Sequence, residues 1–338
     1  MRPLNALLLF LLFLSISCSL VYTPITKVDL DDGAIGDAKL YIAIYEGQSL
    51  KEIPKPFRFR FLVPYLARLV PTPPSSVTAG FEIDAVKITK FKFGIINAFA
   101  LAMTALVLFF FCYRLGLSRA ISMIGGFLFL TSFYIINYAG LPYIDAVAYL
   151  ALILCLYAIL ADRKILLGIG FFVGMFIKET TILALIYLAT KDKPKRWKTK
   201  QLCICLPGLS SYLLMRYIIL PTEQGFNYTL ERFCQIVESY SSGLAPWIFA
   251  VLNLVFVYGF LWILAAQGLQ IARRNNHREI LALLPMLPIV LCTPFLIGSD
   301  LGRIWFLSFP VLIPFSLLGI EHLFFFNNSL FRIKKDSA

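Results

Sequence analysis

Ionisable side chains recur at the ends of apolar runs in this 338-residue chain. Asp29, Asp31, Asp32 and Asp37 cluster after the first run, and Tyr41 follows Asp37 by four residues. Arg58 and Arg60 stand in KPFRFRFLVPYLARLVP, Asp145 in GLPYIDAVAY, Lys178 and Glu179 in GMFIKETT, and Asp300 and Arg303 in GSDLGRIW. A carboxylate within hydrogen-bond reach takes the proton from an attacking hydroxyl. Arginine binds a departing phosphate with two parallel bonds, and lysine binds it as a point charge. The inventory therefore holds candidate bases together with cationic groups suited to an anion.

Asp37 is the preferred base. If residues 37–46 are helical, Asp37 and Tyr41 share one face and the carboxylate is positioned rather than loose. Asp31 and Asp32, with Asp29, are its rivals. Each choice has a local alternative. Asp37 after Gly36, or Asp145 at the start of its run, would cap a helix. Lys178 and Glu179 would form a solvated turn, and Asp300 and Arg303 a local ion pair. Arg58 and Arg60 would snorkel toward lipid headgroups. Against these stands one fact: five separated segments carry such groups to one predicted membrane face, where charge is costly and usually faces a cavity or a partner. Asp31 or Asp32 would suit a divalent cation, but hard cations need several oxygens. The cofactor is left unknown and a divalent ion left open.

The elements that must position these groups are membrane helices. Of the residues, 59% are hydrophobic and only 15% charged, with a mean hydropathy of +0.79. A soluble enzyme, a disordered chain and a disulfide scaffold are all excluded. The apolar runs predict about ten helices, at 4–22, 93–113, 120–137, 145–161, 165–177, 180–190, 201–220, 246–271, 280–297 and 304–325. The fifth and sixth are short and predict a hairpin buried in protein. The stretch Ser15–Cys18 also fits the end of a signal peptide.

With the N-terminus inside, the segments 1–3, 114–119, 161–164, 191–200, 272–279 and 331–338 share one side. They hold 17 of the 31 basic residues but only 4 of the 19 acidic ones. Basic loops mark the cytoplasmic side, so both termini are expected there, in a plasma (inner) membrane. The net charge of +12 then reflects topology, and no nucleic-acid partner is expected. Residues 1–338 read as a single transmembrane domain. Outer loops 23–92 and 221–245 form its non-cytosolic face, the first carrying an amphipathic segment near Phe57–Val70 that lies in the interface.

Other signals are weak. Cys203 and Cys205 form a lone C-x-C with no second pair. His277 and His322 make neither a metal site nor a triad. No P-loop, G-x-G-x-x-G or G-x-S-x-G is present, so no nucleotide-binding fold is expected.

The layout of one helix, a large outer loop with clustered Asp and many short helices resembles the GT-C class of membrane glycosyltransferases. Asp29–Asp31, GDAKLYIAIYEG, PFRFRFLVPYLARLVP, Gly170, Gly174 with KET at Lys178–Thr180, and SDLGRIWFLSFPVLIP carry the likeness. It implies an all-α integral membrane fold, a polyprenyl-phosphate sugar donor and inverting transfer to an unknown acceptor at the non-cytosolic face. A transporter or flippase for a lipid-linked or anionic substrate is the first alternative, although the charges lie at helix ends and no internal repeat is evident. A non-catalytic membrane assembly subunit is the second.

Overall fold

The computed structural model describes residues 3–27, 36–72, 85–221, 230–297 and 301–335. Among them the regular structure is helical throughout. Asp29, Asp31, Asp32 and Asp300 lie outside the described residues.

The first half contains α1 (Pro3–Lys27), α2 (Gly36–Glu46), α3 (Leu62–Leu69), α4 (Ala85–Arg114), α5 (Arg119–Leu130) and α6 (Phe133–Tyr138). It continues with α7 (Asp145–Ala161), α8 (Lys164–Ile177), α9 (Ala184–Thr190) and α10 (Lys195–Leu214). The second half holds α11 (Leu230–Ser241), α12 (Ala245–Tyr258), α13 (Leu261–Arg274), α14 (Arg278–Leu281), α15 (Met286–Ile297), α16 (Leu301–Trp305) and α17 (Phe309–Lys335). One-turn 3-10 segments precede α3, α9 and α17.

Helix α7 is apolar on every side and sits at the centre. It packs on α4 and α8, and twelve of its residues are buried. A helix that is hydrophobic all round belongs inside a protein or a bilayer. Helix α4 also carries α1 and α5, and α13 lies along α17. That last crossing is close: Gly268 meets the Phe315 carbonyl and Gly319 meets the Leu264 carbonyl, where a Cβ would collide with backbone. By contrast α1 and α10 are mostly exposed, as expected of helices that face lipid.

Among the described residues, five helices rather than ten are long and apolar enough to span a membrane, or six if α11 and α12, bent by 100°, count as one. Four more apolar helices have only 10–17 residues. At about 1.5 Å per residue, 12 residues reach about 18 Å against a core of about 30 Å. Part of the discrepancy comes from breaks inside continuous apolar runs, and the rest from the runs at 145–161, 165–177 and 180–190, which are themselves short. The expected 120–137 helix stops at Thr131 and Ser132, and the expected 246–271 helix is cut at Gly259, which has φ +50°. The predicted short hairpin at 165–190 does form, as α8 and α9 joined through an extended Lys178. The amphipathic segment forms as a 3-10 turn at Phe57–Phe59 followed by α3, and α3 ends just before Pro71.

The charged segments sort to two ends. At one end Asp162 accepts from Trp197 and Gln201, Asp192 pairs with Arg278, Lys191 with Glu279, and Glu321 accepts from the Ser118 amide. At the other, Asp37, Arg60, Asp145, Lys178, Glu179 and Arg303 meet one another. Segments given to the same side by the charge pattern are thus the ones in contact.

Candidate functional site

Helix α2 supplies Asp37 in its first turn and the buried Tyr41 one turn later. The Tyr41 ring packs edge-on to Phe57 at 5.7 Å, and its hydroxyl accepts from Arg60 Nη1 at 3.4 Å. Burial pushes the Tyr41 phenol well above its usual range, with Arg60 acting against the shift. The phenol therefore stays neutral.

Arg60 follows the 3-10 turn and is itself buried. Its guanidinium forks onto Glu179, with Nε to Oε2 at 3.0 Å and Nη2 to Oε1. Burial alone would make Arg60 easier to deprotonate, but the Glu179 carboxylate outweighs it. Glu179 faces Arg60 because the chain turns at Lys178, between α8 and the next 3-10 segment. Gly174 leaves room for that turn, since a Cβ there would strike Thr181.

Lys178 Nζ donates to Asp145 Oδ1 at 2.5 Å, and Arg303 Nη2 donates to Asp145 Oδ2 at 2.7 Å. Asp145 begins α7 but makes no capping bond to it. Both of its oxygens instead meet cations. Arg303 Nη1 reaches Asp37 Oδ2 at 2.8 Å, and the guanidinium stacks over Tyr143 at 4.4 Å. Burial raises the Tyr143 phenol to about 12, with Arg303 opposing.

These contacts close a ring. It runs Asp37, Arg303, Asp145 and Lys178, passes along the chain to Glu179, then to Arg60 and Tyr41, and returns through α2 to Asp37. Three carboxylates balance three cations. Balance matters because an uncompensated buried charge costs several kcal/mol. The partners are unequally accessible: the side chain of Asp37 is 37% exposed, that of Asp145 10%.

Beside Asp145 and Arg303 lies a cavity of about 20 Å³, whose walls include Asn97, Tyr134, Tyr138, Tyr143 and Tyr149. It has room for about one water. Asn97 gives both amide hydrogens to backbone, at Ala139 (3.1 Å) and Leu141 (3.0 Å). These two acceptors fix which way the amide points. Its Oδ1 is left buried without a protein partner. Tyr134 lies over Gly302, where any Cβ would stand on the phenol oxygen. That glycine lets the residue before Arg303 sit under the ring.

Comparison with protein families, characterised proteins and solved structures finds no match for this chain.

Of the eight described sequence candidates, six (Asp37, Arg60, Asp145, Lys178, Glu179 and Arg303) are the charged members of the ring, and Tyr41 closes it. Arg58 is placed differently. Its Nε donates to the Ile53 carbonyl at 2.7 Å and its Nη2 to the Lys51 carbonyl at 2.9 Å. It fastens the loop before the 3-10 turn instead of facing a ligand. Sequence reasoning missed Asn97 and Tyr143. An amide inside the apolar run GIINAFALAM, and a tyrosine two residues before Asp145, were the available signals. Among the described residues no group of three or more His, Cys, Asp or Glu side chains is arranged to hold a metal.

Proposed function

We propose that the chain is a membrane glycosyltransferase of GT-C type, taking a sugar from a polyprenyl-phosphate donor at the non-cytosolic face. The observation that supports this reading most is the ring: segments as far apart as Asp37 and Arg303 deliver carboxylates and cations to one end of a bundle of apolar helices. The basic segments gathered at the opposite end support its non-cytosolic orientation.

In this reading Asp37, the more exposed acid, takes the acceptor hydroxyl proton. The acceptor oxygen bonds to the anomeric carbon as the bond from that carbon to the phosphate oxygen breaks. The electron pair leaves on the phosphate, which Arg303 and Lys178 stabilise. Asp145 holds both cations in place. The cavity accommodates no sugar in the form described, so donor entry requires the Asp37–Arg303 contact to open. A phosphate competing for the guanidinium does this, and it frees the carboxylate at the moment a base is needed.

Transfer from a short prenyl-phosphate sugar, assayed with the purified chain in bilayers, tests the proposal. Asp37→Asn abolishes transfer while leaving membrane insertion intact; unchanged product would remove Asp37 as base. Arg303→Ala weakens donor binding more than it lowers stability, and wild-type donor affinity in that variant would take Arg303 out of the site.

One observation favours a non-catalytic assembly subunit as the second reading: every charged member of the ring already has a partner. On that reading Asp37→Asn changes stability alone, and no prenyl-phosphate binding is detectable in the wild type.

A further inference from the structure

We infer that Arg114 and Arg119, at the end of the bundle away from the ring, hold the phosphate of an anionic phospholipid. Its acyl chain would lie against α1 and α5. The inference does not depend on the proposed function.

Two adjoining grooves meet at this place. One, of about 370 Å³, runs along Leu8, Leu12 and Met123. The other, of about 190 Å³, is walled by Tyr113, Arg114 and Tyr157. Both include Phe109 and Arg119, so Arg119 stands at their junction. The first groove is apolar along its length and carries Asn5 at its rim. This pattern of an apolar trough ending in guanidinium groups has the shape of a lipid: tail, then charged head.

The charge accounting identifies the head. Among the described residues, four carboxylates at this end have other partners, Glu321 through the amide that precedes Arg119. Asp162 takes Trp197 and Gln201, Asp192 takes Arg278, Glu279 takes Lys191 and Tyr187, and Glu321 takes the Ser118 amide. Among the described residues no carboxylate lies within ion-pair distance of Arg114 or Arg119. Arg119 stacks over the Tyr113 ring at 5.7 Å, which holds its guanidinium near Arg114's helix end. Two arginines with no ion-pair partner among the described residues favour a phosphodiester with a net negative headgroup. A choline or ethanolamine head would bring a third positive charge to the same spot. Basic pockets between helices at the cytoplasmic boundary recognise anionic lipids on these grounds.

The test uses the full chain purified from an equimolar mixture of phosphatidylglycerol and phosphatidylcholine, with co-purified lipid quantified by mass spectrometry. Each arginine near the surface contributes about a fivefold preference. The wild type is expected to retain phosphatidylglycerol selectively. The double variant Arg114→Gln, Arg119→Gln is expected to lose that selectivity, and the control Arg273→Gln, Arg274→Gln to keep it. Equal retention of the two lipids by the wild type overturns the inference. So does selectivity that survives the double variant, or that falls equally in the control. If the double variant does not insert, a photoreactive phosphatidylglycerol bound to the wild type decides. Crosslinks on α1 and α5 support the site, and crosslinks confined to other helices overturn it. Inorganic phosphate added in excess separates the sources: it leaves lipid retention unchanged if the tail contributes, and displaces the lipid if the headgroup alone is held, which also overturns the site as drawn.

Discussion

The two ends of the bundle use the same residue types in opposite ways. Within the ring, side chains pair with side chains: Arg60 with Glu179, and Asp145 with both Lys178 and Arg303. At the other end they also serve backbone. Lys191 Nζ donates to the Ile159 and Leu160 carbonyls at 3.2 and 3.3 Å, satisfying the last turn of α7, and Glu321 accepts the Ser118 amide just before α5. A charge that finishes a helix holds a fold together and has little left to offer a ligand. A charge held only by another charge can be exchanged for a ligand of like sign. On the proposed reading an anionic substrate enters at the ring's exchangeable contacts, whereas at the basic end the charges that finish helices are already engaged, and Arg114 and Arg119 stand apart from them.

The comparison can be broken at several points. Asp145→Leu strands two buried cations and is expected to cost about 3–5 kcal/mol, read as a lowered denaturation midpoint in detergent. Little change there would mean that Lys178 and Arg303 find other partners. Lys191→Met leaves two α7 carbonyls unsatisfied and should cost about 1–3 kcal/mol, without affecting prenyl-phosphate binding. Any loss of that binding would join the two ends functionally and undo the contrast. A double-mutant cycle on Arg60 and Glu179 should give a coupling of about 2 kcal/mol, because the pair is forked and mostly buried. The same cycle on Arg278 and Asp192, whose side chains are 67% and 68% exposed, should give less than about 1 kcal/mol. Equal couplings would show that burial is not what separates the regions.

The members of the ring were legible as outliers. A charge beside an apolar run is conspicuous, and the spacing of Asp37 and Tyr41 needs only a helical period, which α2 supplies. Their pairings were not legible. Arg303 meets Asp37 and Asp145 across 266 and 158 residues, and nothing local encodes contacts at that range. The proximity of Asp300 suggested a nearby partner for Arg303, yet its described partners come from α2 and α7. Arg58 was placed apart from the ring for a related reason: the same flanking aromatics surround it and Arg60, but its donors meet Lys51 and Ile53 carbonyls. Part of the difference in span count arises because hydropathy is blind to backbone breaks. Residues on both sides of Thr131 and of Gly259 are apolar, so each pair of helices read as one.

The separation of 266 residues between Asp37 and Arg303 also orders events at the ribosome. At about 5–20 residues per second, α2 emerges roughly 15–50 s before its guanidinium partner is synthesised. During that interval Asp145 and Lys178, only 33 residues apart, can already have met. The nascent bundle thus carries half of its ionic ring early, and receives the arginine that joins Asp37 to it only when the last helices are threaded into the bilayer.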